Sequence, residues 1–155
     1  MAISPYGKVP VVVIEGQAIF ESAIINEYLD EVFPAVPLMP QDPWRRAQVR
    51  IWTDYTASRL VPPMYRVLKS SDPKKVESSW PELHAELSYL NNHLEKSDGP
   101  WLLGDEFSMA DINMLPFVHQ LPRLDQDVMG QYAGINQFYV SFQQRPSYQQ
   151  TLQDS

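Results

Sequence analysis

Residues 7–29 read GKVPVVVIEGQAIFESAIINEYL, and this stretch decides the fold of the first part of the chain. The apolar, β-branched run Val11–Ile14 is short enough for a strand that is buried on both faces. Glu15-Gly16 predicts a two-residue turn, and Gln17–Phe20 predicts an antiparallel return strand. Because Ser22 is a favoured N-cap residue, a helix is predicted to begin there. The stretch therefore predicts a β-β-α unit.

The junction between this hairpin and its helix is a candidate binding site. Unpaired backbone N–H groups and the helix dipole both favour an anion beside Ser22. The alternative is that Ser22 only caps its own helix. The Val9-Pro10 bond is either cis, which would leave the Val9 backbone outside the sheet, or trans at the entry to an edge strand.

Composition excludes several classes of protein. The net charge is −7, so the chain is a poor candidate for binding nucleic acid, which needs a basic surface. The absence of cysteine excludes disulfides and a cysteine nucleophile within the 155 residues. No apolar stretch approaches the length of a membrane span, so no membrane partner is expected and cytoplasmic is the default location. His84, His93 and His119 are too far apart for a helical metal-binding pair, and no metal is expected.

The rest of the chain predicts a proline-rich linker and then helices. Four prolines within residues 33–43 exclude a helix there. A long amphipathic helix is predicted over residues 44–68, bent or broken at Pro62-Pro63. Its predicted buried face consists of Trp44, Ala47, Ile51, Trp52 and Tyr55.

Four further helices are predicted after this one. Ser71-Asp72-Pro73 is a helix-start signal, and the apolar spacing after it predicts one long helix packed in a bundle, with a possible kink at Pro81. The residues of that apolar stripe are Val76, Trp80, Leu83, Leu87, Leu90 and Leu94. Ser108 and Asp111 have the spacing of a capping box, so Asp111 is interpreted as structural rather than as a catalytic acid. Two short helices are predicted over residues 135–144 and 147–152.

Charge is unevenly placed along the chain. Residues 1–40 contain one basic and five acidic side chains, a net charge of −4, whereas residues 41–69 contain six basic and two acidic side chains, a net charge of +4. Opposite blocks on adjacent elements could attract across a two-fold dimer interface, or they could be ordinary solvated helix faces.

Gly7-Lys8-Val9-Pro10, the hairpin and the pattern Glu-Ser-x-x-Ile-x-x-Tyr-Leu of residues 21–29 resemble the second half of the thioredoxin-like domain of bacterial-type glutathione transferases. The helical remainder is similar to that family's all-helical domain. The resemblance implies an α/β plus all-α fold, with a partial thioredoxin-like domain over 1–33, a linker over 34–43 and an all-helical C-terminal domain over 44–155. The strand–helix–strand unit that the family places ahead of this motif is not in the sequence.

The resemblance also implies a glutathione site. Ser22 would hold the γ-glutamyl carboxylate, Glu21 the amino group, the Val9 backbone the cysteinyl part and Lys8 the glycyl carboxylate, with Pro10 cis. No residue matches the family's thiol-activating Ser, Tyr or Cys; Ser4 and Tyr6 stand at the wrong place in the motif. The catalytic residue is therefore unknown.

The implied function is conjugation of glutathione, as co-substrate, to small apolar electrophiles by a homodimer. Trp52, Tyr55 and Tyr65 are candidates for the electrophile pocket, although aromatic residues at helical spacing are more often core. One alternative is a non-catalytic adaptor or regulator resembling stringent starvation proteins. Another is a helical interaction domain, which leaves the Glu-Ser pocket unexplained.

Overall fold

The predicted hairpin forms as a two-stranded antiparallel sheet. The computed structural model describes residues 7–153, so Ser4 and Tyr6 lie outside the described residues. Strand β1 (Val11–Ile14) pairs with β2 (Gln17–Phe20), with Val11 opposite Phe20. Both turn residues have positive φ, 49° at Glu15 and 79° at Gly16, as a type I′ hairpin requires.

The expectation that β1 is buried on both faces is wrong. The side chain of Val13 is 52% exposed, and the other three β1 residues are only half-buried. Within the described residues the sheet has two strands, so it lacks the flanking strands and second layer that bury a central strand.

Eight α-helices follow the hairpin in the described part of the chain, which confirms the β-β-α unit and the helical domain. They are α1 (Ser22–Val32), α2 (Pro43–Tyr55), α3 (Val61–Lys69), α4 (Pro73–Glu95), α5 (Met109–Val118), α6 (Val128–Gln131), α7 (Ala133–Gln143) and α8 (Pro146–Gln153). A 3-10 turn at Leu121–Arg123 and α6 were not predicted.

The start of α1 differs from the prediction by one residue. Glu21 occupies the N-cap position, and Ser22 is the first helical residue. The Ser22 hydroxyl therefore does not serve as the N-cap group.

Pro62 and Pro63 do not end the predicted long helix; a wider, π-helical segment precedes them instead. Residues Thr56–Leu60 form a π-helical segment between α2 and α3. Pro62 and Pro63 cannot donate backbone hydrogen bonds, and their rings would crowd the preceding turn. The π turn, which ends at Leu60, accommodates both effects within one continuous helical path.

The predicted buried face of α2 is partly wrong. Trp52 and Tyr55 are buried, but Trp44 is 69% exposed, Ile51 is 56% exposed, and Ala47 is exposed as well. Val49 is buried instead. The apolar residues of α2 lie on two faces, and only the face toward α4 and α5 is covered.

The core lies between α2, α4, α5 and α7. Leu83, Leu87, Leu90 and Leu94 of α4 are buried as predicted, whereas Val76 and Trp80 are half-buried. The helix α4 continues through Pro81. Phe138 and Phe142 of α7 are among the largest fully enclosed side chains.

Asp111 caps α5 as predicted. Its carboxylate accepts hydrogen bonds from the backbone N–H of Leu102 (2.8 Å) and from the backbone N–H (2.8 Å) and hydroxyl (3.0 Å) of Ser108. Burial raises the pKa of Asp111 to about 6, and these hydrogen bonds oppose that rise. The residue is a structural link between the loop that contains Leu102 and the start of α5.

Candidate functional site

The hairpin and the start of α1 enclose a small pocket of about 70 Å³. The tight turn brings the end of β2 back beside the segment that precedes β1, so residues far apart in the motif become neighbours. The lining residues are Lys8, Val9, Pro10, Phe20, Glu21 and Ser22. The structure thus brings together all five residues predicted for the glutathione site.

The segment that precedes β1 forms one wall of this pocket. The Val9-Pro10 peptide bond is cis, which confirms what the resemblance implied. Strand pairing begins at Val11, so Val9 lies outside the ladder, and its side chain is 91% exposed. The Val9 backbone is therefore placed beside the pocket rather than within the sheet.

Glu21 has an unusual backbone conformation. Its φ is 71° and its ψ is 114°, and a non-glycine residue at positive φ is strained. Such strain is often found at binding sites, where the surrounding structure maintains it. The conformation turns the chain from β2 directly into α1 at a residue that lines the pocket.

The first turn of α1 has unpaired backbone donors, and its first residue, Ser22, lines the pocket. The first hydrogen bond of the helix runs from the N–H of Ile25 to the carbonyl of Glu21 (2.9 Å). The N–H groups of Ser22, Ala23 and Ile24 precede that bond and have no partner in the helical ladder. Together with the exposed Ser22 hydroxyl and the helix dipole, they suit a carboxylate.

Two of the three residues predicted for the electrophile pocket line a second cavity, of about 460 Å³. Trp52 and Tyr55 form part of its wall with Tyr89 of α4, and the rings of Tyr55 and Tyr89 are 5.3 Å apart. The Tyr55 hydroxyl donates to the backbone carbonyl of Glu86 (2.8 Å). Burial, with the Glu86 carboxylate nearby, raises the pKa of Tyr55, so its hydroxyl stays protonated.

Tyr65, the third residue predicted for the electrophile pocket, does not line this cavity. It lies half-buried on α3 with the Lys69 ammonium 4.6 Å from its ring centre. The Trp52–Tyr55 cavity and the hairpin pocket share no lining residue. Within residues 7–153, Trp52 and Tyr55 therefore line a different cavity from the predicted glutathione residues.

A cleft that the sequence did not predict begins directly after Ser22. It has a volume of about 330 Å³ and separates α1 from α2. Ala23, Ile24 and Glu27 line one side, and Thr53 lines the other. An ion pair between Glu27 and Arg50 crosses it. The residues that line this cleft are distant in sequence. The opposite charges of Glu27 and Arg50 are the one signal in the sequence that could have indicated their pairing.

The basic block of residues 41–69 is largely neutralised within the chain. Arg45 pairs with Glu106 at 2.7 Å, and Arg59 pairs with Glu86 at 3.1 Å. Two further ion pairs join Arg50 to Glu27 and Arg66 to Glu82. Little of the block's charge remains for attraction between two copies.

Residues 7–153 contain no group of three or more side chains placed to hold a metal ion. In the same part of the chain, no helix combines the length and the apolar character needed to span a bilayer.

Comparison with known proteins identifies the family. Residues 47–146 match the glutathione S-transferase C-terminal domain, and residues 1–31 match the glutathione S-transferase N-terminal domain. The chain therefore belongs to the glutathione S-transferase family.

Individual relatives agree with this assignment. A probable maleylacetoacetate isomerase of Caenorhabditis elegans is 30% identical and is matched over 94% of this chain and 70% of the relative. A stringent starvation protein A homolog of Coxiella burnetii is 29% identical over 99% of this chain and 72% of the relative. A glutathione S-transferase structure from Methylobacillus flagellatus with GSH bound has a TM-score of 0.78 and 27% identity, covering 95% of this chain and 76% of that one.

The match covers only part of some relatives. The chain spans 53% to 70% of the length of three curated relatives that it matches.

Proposed function

We propose that this chain binds glutathione in the hairpin pocket and conjugates it to small apolar electrophiles. The observation that carries the proposal is the convergence of Lys8, Val9, Pro10, Glu21 and Ser22 on one pocket. The GSH-bound relative from Methylobacillus flagellatus has the same fold, which supports a glutathione site in this chain.

Each pocket residue has a role that suits its chemistry. The backbone N–H and hydroxyl of Ser22 would donate hydrogen bonds to the γ-glutamyl carboxylate, and the Glu21 carboxylate would accept hydrogen bonds from the γ-glutamyl amino group. The Val9 backbone would pair with the cysteinyl part. The Lys8 ammonium would meet the glycyl carboxylate. Holding glutathione in one orientation would contribute to rate by proximity to the second substrate.

The described residues include no candidate that we assign to activation of the thiol. Trp52, Tyr55 and Tyr65 stay candidates for the electrophile. Of these, Trp52 and Tyr55 have a cavity large enough for a small apolar compound.

A homodimer in the cytoplasm is part of the same proposal. Within residues 7–153, β1 pairs with β2 alone, and a second copy would cover its outer edge together with the exposed residues Val13, Ile24 and Ile51. Analytical ultracentrifugation tests this; a monomer at every concentration would contradict it.

The second candidate function is a non-catalytic adaptor or regulator. The similarity to the Coxiella burnetii stringent starvation protein A homolog, over nearly the whole chain, favours it. An adaptor need not retain glutathione affinity, so a binding measurement separates the two candidates.

The test is a calorimetric titration of glutathione into the purified chain and into two variants. Ser22→Ala removes the pocket hydroxyl, whereas Ser147→Ala removes an exposed hydroxyl near the start of α8, far along the chain from the pocket residues. We expect saturable binding that Ser22→Ala weakens and Ser147→Ala does not change. Turnover of an activated chloronitrobenzene would then establish conjugation. Absence of binding by folded protein would favour the adaptor.

A further inference from the structure

We propose that Asn113, on the helical domain, is a positioning residue for the glutathione pocket. Through Asn26 it holds in place α1, whose first residue, Ser22, lines that pocket. Neither Asn113 nor Asn26 lines the pocket itself. The inference rests on the glutathione-binding function proposed above.

A chain of side-chain hydrogen bonds joins three helices. Nδ2 of Asn26 on α1 donates to Oδ1 of Asn113 on α5 at 2.8 Å. Nδ2 of Asn113 donates in turn to Oγ1 of Thr53 on α2 at 3.0 Å. Both Oδ1 and Nδ2 of the Asn113 amide are hydrogen-bonded. Thr53 of α2 therefore fixes the orientation of the Asn113 amide, and that amide in turn holds Asn26 of α1.

Open grooves flank this contact on both sides. The 330 Å³ cleft between α1 and α2 lies on one side, and a groove of about 320 Å³, lined in part by Leu29 and Phe33, lies on the other. Asn113 lines the first groove and Asn26 the second. The Asn26–Asn113 hydrogen bond therefore joins α1 to α5 between these two grooves, and the Glu27–Arg50 ion pair joins α1 to α2 across the first of them.

The helix α1 depends on such contacts. It is 11 residues long, and Ile25 is its one fully buried residue. Helices of this length are marginal without tertiary contacts. Asn26 lies one turn after Ser22 on the same side of the helix. Losing the Asn26–Asn113 hydrogen bond would therefore loosen the first turn, and glutathione would have to order that turn on binding.

The test combines glutathione affinity with hydrogen exchange. We compare the wild-type chain with Asn113→Ala, Asn26→Ala and the double variant. The matched control is Asn91→Ala, because Asn91 is also half-buried and its Oδ1 accepts a hydrogen bond from the N–H of Gly134 (2.8 Å) within the helical domain.

Each single variant should weaken glutathione binding by about three- to tenfold, because each removes the Asn26–Asn113 hydrogen bond. The double variant should be no weaker than either single variant, since both remove the same contact. Amides of α1 should exchange faster in all three variants, and the control should retain wild-type affinity and α1 exchange. A purely structural role for Asn113 would instead affect Asn113→Ala and the control alike.

Wild-type affinity and unchanged α1 exchange in Asn113→Ala would overturn the inference. So would equal weakening in the control. If the wild-type chain does not bind glutathione at all, the proposed function fails. The exchange measurement still decides whether Asn113 anchors α1.

Discussion

Oδ1 of Asp30, near the end of α1, accepts a hydrogen bond of 2.7 Å from the backbone N–H of Leu38 in the linker. Oδ2 of the same carboxylate accepts one of 3.0 Å from Met39. The carbonyl of Leu38 accepts a further hydrogen bond, of 2.9 Å, from the N–H of Met109 at the start of α5. The Asp30 carboxylate thus connects the proline-rich linker to α1, the helix whose first residue lines the pocket.

Asp30→Asn should destabilise the chain by about 1–3 kcal/mol, because an amide N–H₂ would face a backbone donor that has lost its acceptor. Urea unfolding measures the change. Glu31→Gln is the control, since Glu31 is the exposed neighbour. Equal stability of the two variants would show that the linker does not depend on Asp30.

Glu21→Gly should make the protein more stable and weaken glutathione binding. Glycine adopts a φ of 71° without strain, so a gain of about 1 kcal/mol is expected, while the carboxylate for the amino group is lost. Glu15→Gly is the matched control, because Glu15 also has positive φ but does not line the pocket. It should gain stability with unchanged affinity. Wild-type affinity in Glu21→Gly would remove Glu21 from the site.

The contribution of Asp111 to stability should fall as the pH rises from about 4 to 6. Its pKa is raised from 3.8 to about 6 by burial, so folding favours its protonated form. That stabilisation is complete below the unfolded pKa and is lost as the pH passes the folded pKa. We expect the free energy of unfolding of the wild type, relative to Asp111→Asn, to decrease over this range and then level off.

Urea unfolding of both proteins at several pH values isolates this contribution from that of the other carboxylates. A difference that instead increases with pH would mean that the hydrogen bonds from Leu102 and Ser108 outweigh the cost of burial.

Gly99→Ala should destabilise the turn after α4. A Cβ at Gly99 would lie 2.6 Å from backbone atoms of Gly104 and Asp105, which cannot move aside easily. A cost of about 1–3 kcal/mol is expected from overpacking. Gly130→Ala is the control, because the added Cβ meets no atom within 4 Å beyond its chain neighbours and the backbone of its own helix, α6. Thermal unfolding distinguishes them; equal midpoints would contradict the predicted clash.

Local patterns in the sequence predicted much of this fold. The hairpin, the capping box at Ser108 and the leucine stripe of α4 depend on neighbouring residues and a regular period, and all three formed. The exposure of Trp44 and Ile51 was not predictable in the same way. Both are apolar at helical spacing, and only the position of neighbouring helices decides which face of α2 is covered.

The candidate site shows the same difference between features set by local sequence and features set by tertiary packing. The pocket residues lie within two short stretches that a tight hairpin must bring together, so their convergence could be predicted. The Asn26–Asn113 contact joins residues 87 positions apart. Nothing in the local sequence of either residue indicates the other, and the contact emerges only from the packing of α1 on α5.

The central claim, that the hairpin pocket binds glutathione, is tested most directly by NMR titration of glutathione into the isotopically labelled chain. We predict that the amide signals of Lys8, Val9 and residues 20–23 shift together and saturate, while those of α7 stay unchanged. Shifts concentrated around the Trp52–Tyr55 cavity, or no shifts at all in folded protein, would contradict it.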